Sequence, residues 1–264
     1  MLTIDTYLRP ETLEEAYAAL QKKNSAVLGG MMWMRLGNRR IGTAIDLSAL
    51  GLDQIEDTGD IWKIGAYTTL RTLETHCELH KEFHGVLRDS VSSIVGVQFR
   101  NLATVGGSIF GRYGFSDIVT TFLALGASVE FYHHGTVTLE EFCGMGNMHD
   151  ILTHIYIPKS PSAASYKSQR NTATDFPVLN TCAVLRDNTI TVTVGARPLR
   201  AVPYRFCIDT AGHADELAAS IAGQIADDTV FASNTRASAE YRKHLCDVLV
   251  RRAVLDILQN KETE

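Results

Sequence analysis

The chain has 264 residues, 45% of them hydrophobic, and a formal net charge of −5 at pH 7, enough length for two or three lobes and an ordinary apolar share for a core. Both signs of charge are scattered and no basic run occurs, which argues against nucleic acid or an anionic membrane surface as a partner; Arg39-Arg40 and Arg251-Arg252 read as solvated faces or ion pairs. No apolar stretch is long enough to span a bilayer, Met1 to Asp5 lack the features of a signal peptide, and five dispersed cysteines (Cys77, Cys143, Cys182, Cys207, Cys246) suit idle thiols in a reducing cytoplasm rather than a disulfide framework, zinc site or iron–sulfur cluster.

The first elements read strand, helix, strand. Thr12 with Glu15 fits a capping box, and Leu13, Ala16, Tyr17 and Leu20 then follow the spacing of one buried helix face. Ala26 to Leu28 and Thr43 to Leu47 are apolar strands, and the turn-rich stretch Glu56-Asp57-Thr58-Gly59-Asp60 marks a boundary. A second lobe opens with the strand Ile61 to Ala66. Thr69 is placed to cap a helix with Leu70, Leu73 and Cys77 on one side, and Phe83, Val86, Leu87, Val91 and Ile94 mark another helical face. Asp117 begins a helix with Ile118, Phe122 and Leu125 inward. Val129 to Tyr132 returns at Val137 as a hairpin around Gly135, and Leu152 to Ile157 is a strand stopped by Pro158. In the tail, Tyr166 to Arg170, Cys182 to Leu185 and Ile190 to Val194 read as antiparallel strands, the last two joined through Asp187-Asn188. Helices around Asp215 to Ala226 and Ala239 to Gln259 follow, the latter with a stripe of Leu245, Val248, Leu249, Val254 and Ile257.

Two apolar runs end in glycine pairs: Ala26-Val27-Leu28-Gly29-Gly30-Met31-Met32, and Ala103-Thr104-Val105-Gly106-Gly107-Ser108-Ile109. Each run reads as a strand, and Gly-Gly after a strand makes a turn that reaches positive φ and leaves its amides unshielded. Successive bare N–H groups form a nest for phosphate oxygens. Two nests far apart in sequence can clamp one pyrophosphate, which points to a dinucleotide. On this reading Gly106→Val removes the cofactor and keeps the fold. Neither turn is a Rossmann fingerprint, and no Walker motif is present. Ser108 is either a phosphate donor or an ordinary turn serine. Asp117 is an acceptor for ribityl or ribose hydroxyls, a helix N-cap, or both. Tyr113 and Phe115 either pack on a flavin or are surface or core aromatics. His133-His134, in a hairpin turn, reads as a pair of solvated imidazoles rather than a metal site.

The segment Val97-Gln98-Phe99-Arg100-Asn101-Leu102-Ala103-Thr104-Val105-Gly106-Gly107-Ser108-Ile109, with Ser116-Asp117 beyond it, resembles the motif of the flavin-binding subunits of molybdenum hydroxylases, xanthine dehydrogenases and carbon monoxide dehydrogenases among them. The opening from Tyr7-Leu8-Arg9-Pro10 through Gly29-Gly30 to Ile45-Asp46-Leu47 is similar too, as are Ala237 to Lys243 and Val248 to Ala253 at the end. The resemblance implies an α+β fold: a two-lobed FAD-binding domain of PCMH type (residues 1–55 and 56–160, with FAD between the lobes) and a small C-terminal α+β domain (161–264). It places the pyrophosphate on Val27, Leu28, Gly29, Gly30, Met31, Met32 and Trp33 and on Thr104, Val105, Gly106, Gly107 and Ser108. Ile94 is then near the adenine, Asp117 at the ribityl or diphosphate region, and Leu152 and Lys167 at the isoalloxazine border. No catalytic side chain and no metal ligand is implied.

The first loop departs from many relatives, which carry Gly-Gly-Thr-Asp or Gly-Gly-His-Ser where this chain has Met31-Met32. Gly111-Arg112-Tyr113-Gly114-Phe115 is bulkier than the small-residue run expected. The expected function is electron transfer through FAD, from a [2Fe–2S] subunit served by a molybdopterin-binding subunit to NAD⁺ or another acceptor, with Lys167 stabilising the reduced flavin. The alternatives are an assembly subunit that has lost FAD, with Met31-Met32 as the cause, and a self-sufficient FAD oxidoreductase.

Overall fold

Strand β1 (Thr3–Leu8) leads to Thr12, whose hydroxyl accepts a hydrogen bond from the Glu15 amide at 3.1 Å and so caps α1 (Leu13–Leu20). The Glu15 carboxylate reaches back to the Glu11 amide (3.0 Å) rather than to Thr12. Ala16, Ala19 and Leu20 are buried, as the helical spacing requires. Strands β2 (Ser25–Leu28) and β3 (Arg40–Asp46) pair in parallel, and β1 lies on the other edge of β3, giving the order β1-β3-β2. This computed structural model describes residues 1–208 and 213–261, with the side chains of 260 and 261 not described.

A second sheet starts with β4 (Ile55–Asp57) and β5 (Ile61–Gly65). The stretch Glu56 to Asp60, expected as a boundary, belongs to this hairpin and lies inside the sheet. Gly59 has φ +97° and its amide bonds the Asp57 carboxylate at 2.9 Å. Tight turns and linkers share one composition, so sequence alone does not separate them. Helix α2 (Leu70–Thr75) ends before Cys77, and His76 caps a separate α3 (Cys77–Glu82) through its Nδ1, which accepts from the Leu79 amide. Helix α4 (Val86–Ser92), the single turn α5 (Val97–Arg100), α6 (Val105–Phe110) and α7 (Asp117–Ala124) follow. Strands β6 (Ser128–Phe131) and β7 (Gly135–Thr138) form the expected hairpin. Helix α8 (Leu139–Gly144) is capped by Thr138, and β8 (Leu152–Pro158) completes an antiparallel sheet of order β4-β5-β8-β6-β7.

The tail forms a four-stranded antiparallel sheet from β9 (Ala163–Arg170), β10 (Pro177–Arg186), β11 (Thr189–Gly195) and β12 (Val202–Cys207), in the order β12-β11-β10-β9. The edge strand β12 is missing from the sequence reading because Pro203 and Arg205 break its apolar pattern. An edge tolerates a proline that a central strand would not. Helices α9 (Ala214–Asp228) and α10 (Ala239–Lys261) pack with this sheet around Leu179, Val192, Ile221, Ile225, Val250 and Val254.

The chain divides into two compact units. Unit one is Met1–Thr72, Val97–Gly111 and Ala127–Pro158, and holds the first two sheets. Unit two is Leu73–Gly96, Arg112–Gly126 and Lys159–Glu264. Among the described residues no helix is long and apolar enough to cross a membrane.

Candidate functional site

The second glycine pair is not a turn after a strand. Thr104 caps α6, and Gly106 and Gly107 lie in its first turn. Every amide at that end has a protein acceptor: Val105 N bonds Thr68 O (2.8 Å), Gly106 N bonds Ala66 O (2.8 Å), Gly107 N bonds Thr104 Oγ1 (3.1 Å) and Ser108 N bonds Thr104 O (3.1 Å). The expected nest of bare amides is therefore absent here, because Ala66 and Thr68 lie alongside and take two of the donors while the cap residue Thr104 takes the other two. The Ser108 hydroxyl also donates inward, to Thr104 O at 2.9 Å.

Close packing accounts for these glycines. A Cβ on Gly106 would sit 2.6 Å from both the Cβ and the carbonyl oxygen of Ala66, and one on Gly107 would sit 2.8 Å from Gly29 O. The two glycine pairs thus meet backbone to backbone within unit one. A Cβ on Gly30 would lie 1.9 Å from Leu102 O, and Gly30 has φ +78° besides.

The first loop keeps the character of an anion cradle. Gly30 and Met31 (φ +60°) are both left-handed, and among the described residues the amides of Gly30, Met31 and Met32 donate to nothing in the protein. Such a run of free, curved N–H groups matches the demands of phosphate oxygens. The polar side chains replaced by Met31-Met32 are not needed for it. Met31 instead packs against the cluster of Leu28, Ile41 and Ala44, an apolar anchor for the loop, and Met32 is buried. The loop's entry is fixed by Tyr67, whose hydroxyl donates to Leu28 O and lies 3.0 Å from Asp46 Oδ1. Burial pushes the Asp46 carboxyl up, but hydrogen bonds from Tyr7 (2.5 Å), Ser48 and Tyr67 outweigh it and hold it below the ordinary carboxylate range. Leu152, also in unit one, is buried at the start of β8, and Trp33 is 43% exposed.

In unit two, Ser116 rather than Asp117 caps α7, accepting from the Val119 amide at 3.2 Å. Asp117 is the first helical residue, where the helix dipole favours a carboxylate. It is only 5% exposed, and three donors converge on its Oδ1: Tyr166 Oη, Arg170 Nη2 (2.8 Å) and Asn180 Nδ2 (3.0 Å). Burial, with Asp117 adding to it, pushes the Tyr166 phenol well above its ordinary value. Lys167 does not join this group. Side chains alternate along β9, so Tyr166 and Arg170 reach Asp117, while Ser165 and Lys167 reach Asp256 of α10, at 2.8 and 2.5 Å. Ile94 is half-buried just beyond α4. Tyr113 stacks on Phe115 (5.2 Å), Phe115 lies against Phe176 (4.5 Å), and the Arg236 guanidinium sits over Phe176 at 4.9 Å. No group of three His, Cys, Asp or Glu among the described residues is placed to hold a metal, and His133-His134 bond Asp150 through their amides.

The sequence reading does not single out Tyr67, Tyr166, Arg170 or Asn180 as site residues. The period of two along β9 puts Tyr166 and Arg170 on one side, but nothing in the sequence names Asp117 as their common partner.

Residues 2–160 match the family described as the FAD binding domain in molybdopterin dehydrogenase, and residues 164–257 match the CO dehydrogenase flavoprotein C-terminal domain. The nicotine 6-hydroxylase medium subunit of Paenarthrobacter nicotinovorans is 26% identical over 274 aligned residues, which cover 95% of this chain and 96% of that protein. In fold, the chain is similar to quinoline 2-oxidoreductase from Pseudomonas putida 86, with a TM-score of 0.83 and 19% identity over 97% of each chain. It is also similar to carbon monoxide dehydrogenase from Hydrogenophaga pseudoflava, with a TM-score of 0.81 and 20% identity over 96% of this chain and 97% of that one. With both domain types in order along the sequence, the chain belongs to the family of FAD-binding domains of molybdopterin dehydrogenases and is an FAD-binding chain of the medium-subunit type.

Proposed function

We propose that this chain is the electron-transfer flavoprotein subunit of a molybdenum hydroxylase complex. It takes electrons from a [2Fe–2S] subunit, itself served by a molybdopterin-binding subunit, and passes them through FAD to NAD⁺ or another acceptor. The observation that carries the reading is the loop Gly30 to Met32, whose amides stay free of protein acceptors in a chain of this family. When bound, FAD supplies a centre that gathers two electrons and releases them to the acceptor. The protein's part is binding and orientation. Val27 to Trp33 hold the pyrophosphate, the free amides among them being those of Gly30, Met31 and Met32. Thr104 to Ser108 border the pyrophosphate and support that loop by backbone packing, the Ser108 hydroxyl donating to Thr104 O. Asp117 takes a ribityl hydroxyl, Ile94 borders the adenine, and Leu152 and Lys167 border the ring. Pairing of Lys167 with Asp256 tempers its charge, so its influence on the reduced ring is smaller than that of a lone ammonium.

For the division into residues 1–55, 56–160 and 161–264, each part carries most of one sheet, but the first boundary cuts β4 at Ile55, and residues 73–96 and 112–126 group with unit two. Two of the three relatives are named for nitrogen heterocycles, nicotine and quinoline, which favours a heterocycle as the compound oxidised at the molybdenum subunit. The test is to purify the chain with its co-purifying polypeptides and measure visible absorbance, flavin content and iron. The expected preparation shows flavin absorbance over that of the iron–sulfur clusters, with one FAD per chain and iron–sulfur and molybdopterin polypeptides alongside. A preparation without flavin that takes up no FAD on reconstitution would overturn the reading. A flavin-loaded chain that oxidises substrate unaided would replace it with a self-sufficient enzyme.

A further inference from the structure

We infer that Tyr166, Arg170 and Asn180 are positioning residues, which fix the carboxylate of Asp117 through one oxygen so that the other is presented as an oriented acceptor for a ligand hydroxyl. This rests on the reading of Asp117 as a ribityl contact. A carboxylate has about four lone-pair sites on its two oxygens. Three donors crowd Oδ1, while Oδ2 takes none of these bonds. Donors from two strands, β9 and β10, hold both the plane and the direction of a side chain anchored on α7.

The donors are themselves fixed. The Asp117 carboxylate, an acceptor only, turns Asn180 Nδ2 towards itself, and the one proton of Thr120 Oγ1, which is 3.1 Å from both Asn180 Oδ1 and Ser116 O, is shared between those two. Gly195 makes room for Thr120 and Asn180, since a Cβ there would lie 2.1 Å from Thr120 Oγ1 and 2.3 Å from Asn180 Oδ1. Arg170 is gripped from its other end, Nη1 donating to Asp175 O at 2.5 Å, and the Asp175 carboxylate is held by Arg236 Nη1 at 2.6 Å. Arg170 Nε is buried without a partner. A network that served only to staple α7 to the sheet would be expected to divide its donors between both carboxylate oxygens and to use that Nε. Here one oxygen is saturated and the other left over, in a residue nearly closed to water, where an incompletely bonded charge is costly. A hydroxyl donating to Oδ2 completes it. A polyol chain offers such hydroxyls, whereas a phosphate, anionic and lacking a proton to give, is repelled.

The test uses the full-length chain in its complex, stripped of flavin and titrated with FAD and with an FAD analogue whose ribityl chain lacks hydroxyls, binding being read by flavin fluorescence. Wild type is expected to prefer FAD over the analogue by about tenfold or more, the worth of a hydrogen bond to a charged group. Asp117→Asn, Tyr166→Phe and Arg170→Met should each pull that preference towards one, and Arg170→Lys should restore part of it. The melting temperature of each flavin-free variant is measured alongside. If Asp117→Asn binds FAD and the analogue as wild type does, the ribityl reading of Asp117 fails and this inference fails with it. If Asp117→Asn loses the preference while Tyr166→Phe and Arg170→Met keep it, the ribityl reading stands and the positioning role is refuted. Should Tyr166→Phe and Arg170→Met not fold, Asn180→Ser takes their place under the same two criteria.

Discussion

Gly106 shows how one residue can be read correctly as special and wrongly as to why. Its missing Cβ serves the close approach of Ala66, and its amide already bonds Ala66 O. Gly106→Ala should therefore destabilise the flavin-free protein itself, by about 1–3 kcal/mol of overpacking, instead of removing the cofactor from an intact fold. Thermal or urea unfolding of the stripped protein checks this. The control is Gly144→Ala at the end of α8, where a Cβ meets nothing within 4 Å and φ is not positive. It should leave stability unchanged or raise it by up to about 1 kcal/mol. Met31 is the opposite case. Its side chain departs from the family pattern, yet the departure is absorbed by packing on Leu28, Ile41 and Ala44, and the amides it carries remain free.

At the scale of elements, the junction of β2 and β3 decides how the first loop is presented. Leu28 and Asp46 are paired across these strands, and Tyr67 bonds to both. Tyr67→Phe should cost about 1 kcal/mol in stability, the net worth of one hydrogen bond, and should weaken FAD binding measured by fluorescence titration. Because Asp46 is held below its unfolded pKa of about 3.9, its contribution is present above that pH and lost as the pH falls through the lower folded value. Asp46→Asn should accordingly be less stable than wild type at pH 7, and the gap should close in acid unfolding series below about pH 4. The α1 cap, the β6–β7 hairpin and the β10–β11 turn were legible in sequence, since each is decided by residues only a few positions apart. Helix α6 was not, because Thr104 as a cap and Ala103 to Val105 as a strand are equally good local descriptions. What settles it is the approach of residues 66–70, which are distant in sequence.

At the scale of the whole molecule, the resemblance carried by residues 97–117 named the family and the cofactor, and Ala237 to Lys243 extended it to the tail. In that tail Arg242 is almost wholly buried, donating from Nε to Val178 O (3.0 Å), from Nη1 to Ala232 O (2.8 Å) and Ala237 O (2.6 Å), and from Nη2 to Asn234 Oδ1 (2.7 Å). Arg242→Met would remove all four of these bonds, leaving Ala237 O and Asn234 Oδ1 only their backbone amide donors, and should destabilise unit two by about 3 kcal/mol, a loss measurable by urea unfolding in wild type and variant. The free cysteines, three of them buried, play no visible part in the site.

By itself the sequence determined the family, the mixed helix-and-sheet class and most elements, and it marked the two glycine pairs as special. These follow from local periodicity and from motif residues that stand in fixed order. Only the tertiary structure decided which amides remain free, which oxygen of Asp117 is left open and which side of β9 Lys167 takes. A hydrogen bond between residues 117 and 180 depends on how a helix and two strands are brought together, and no local pattern encodes that meeting.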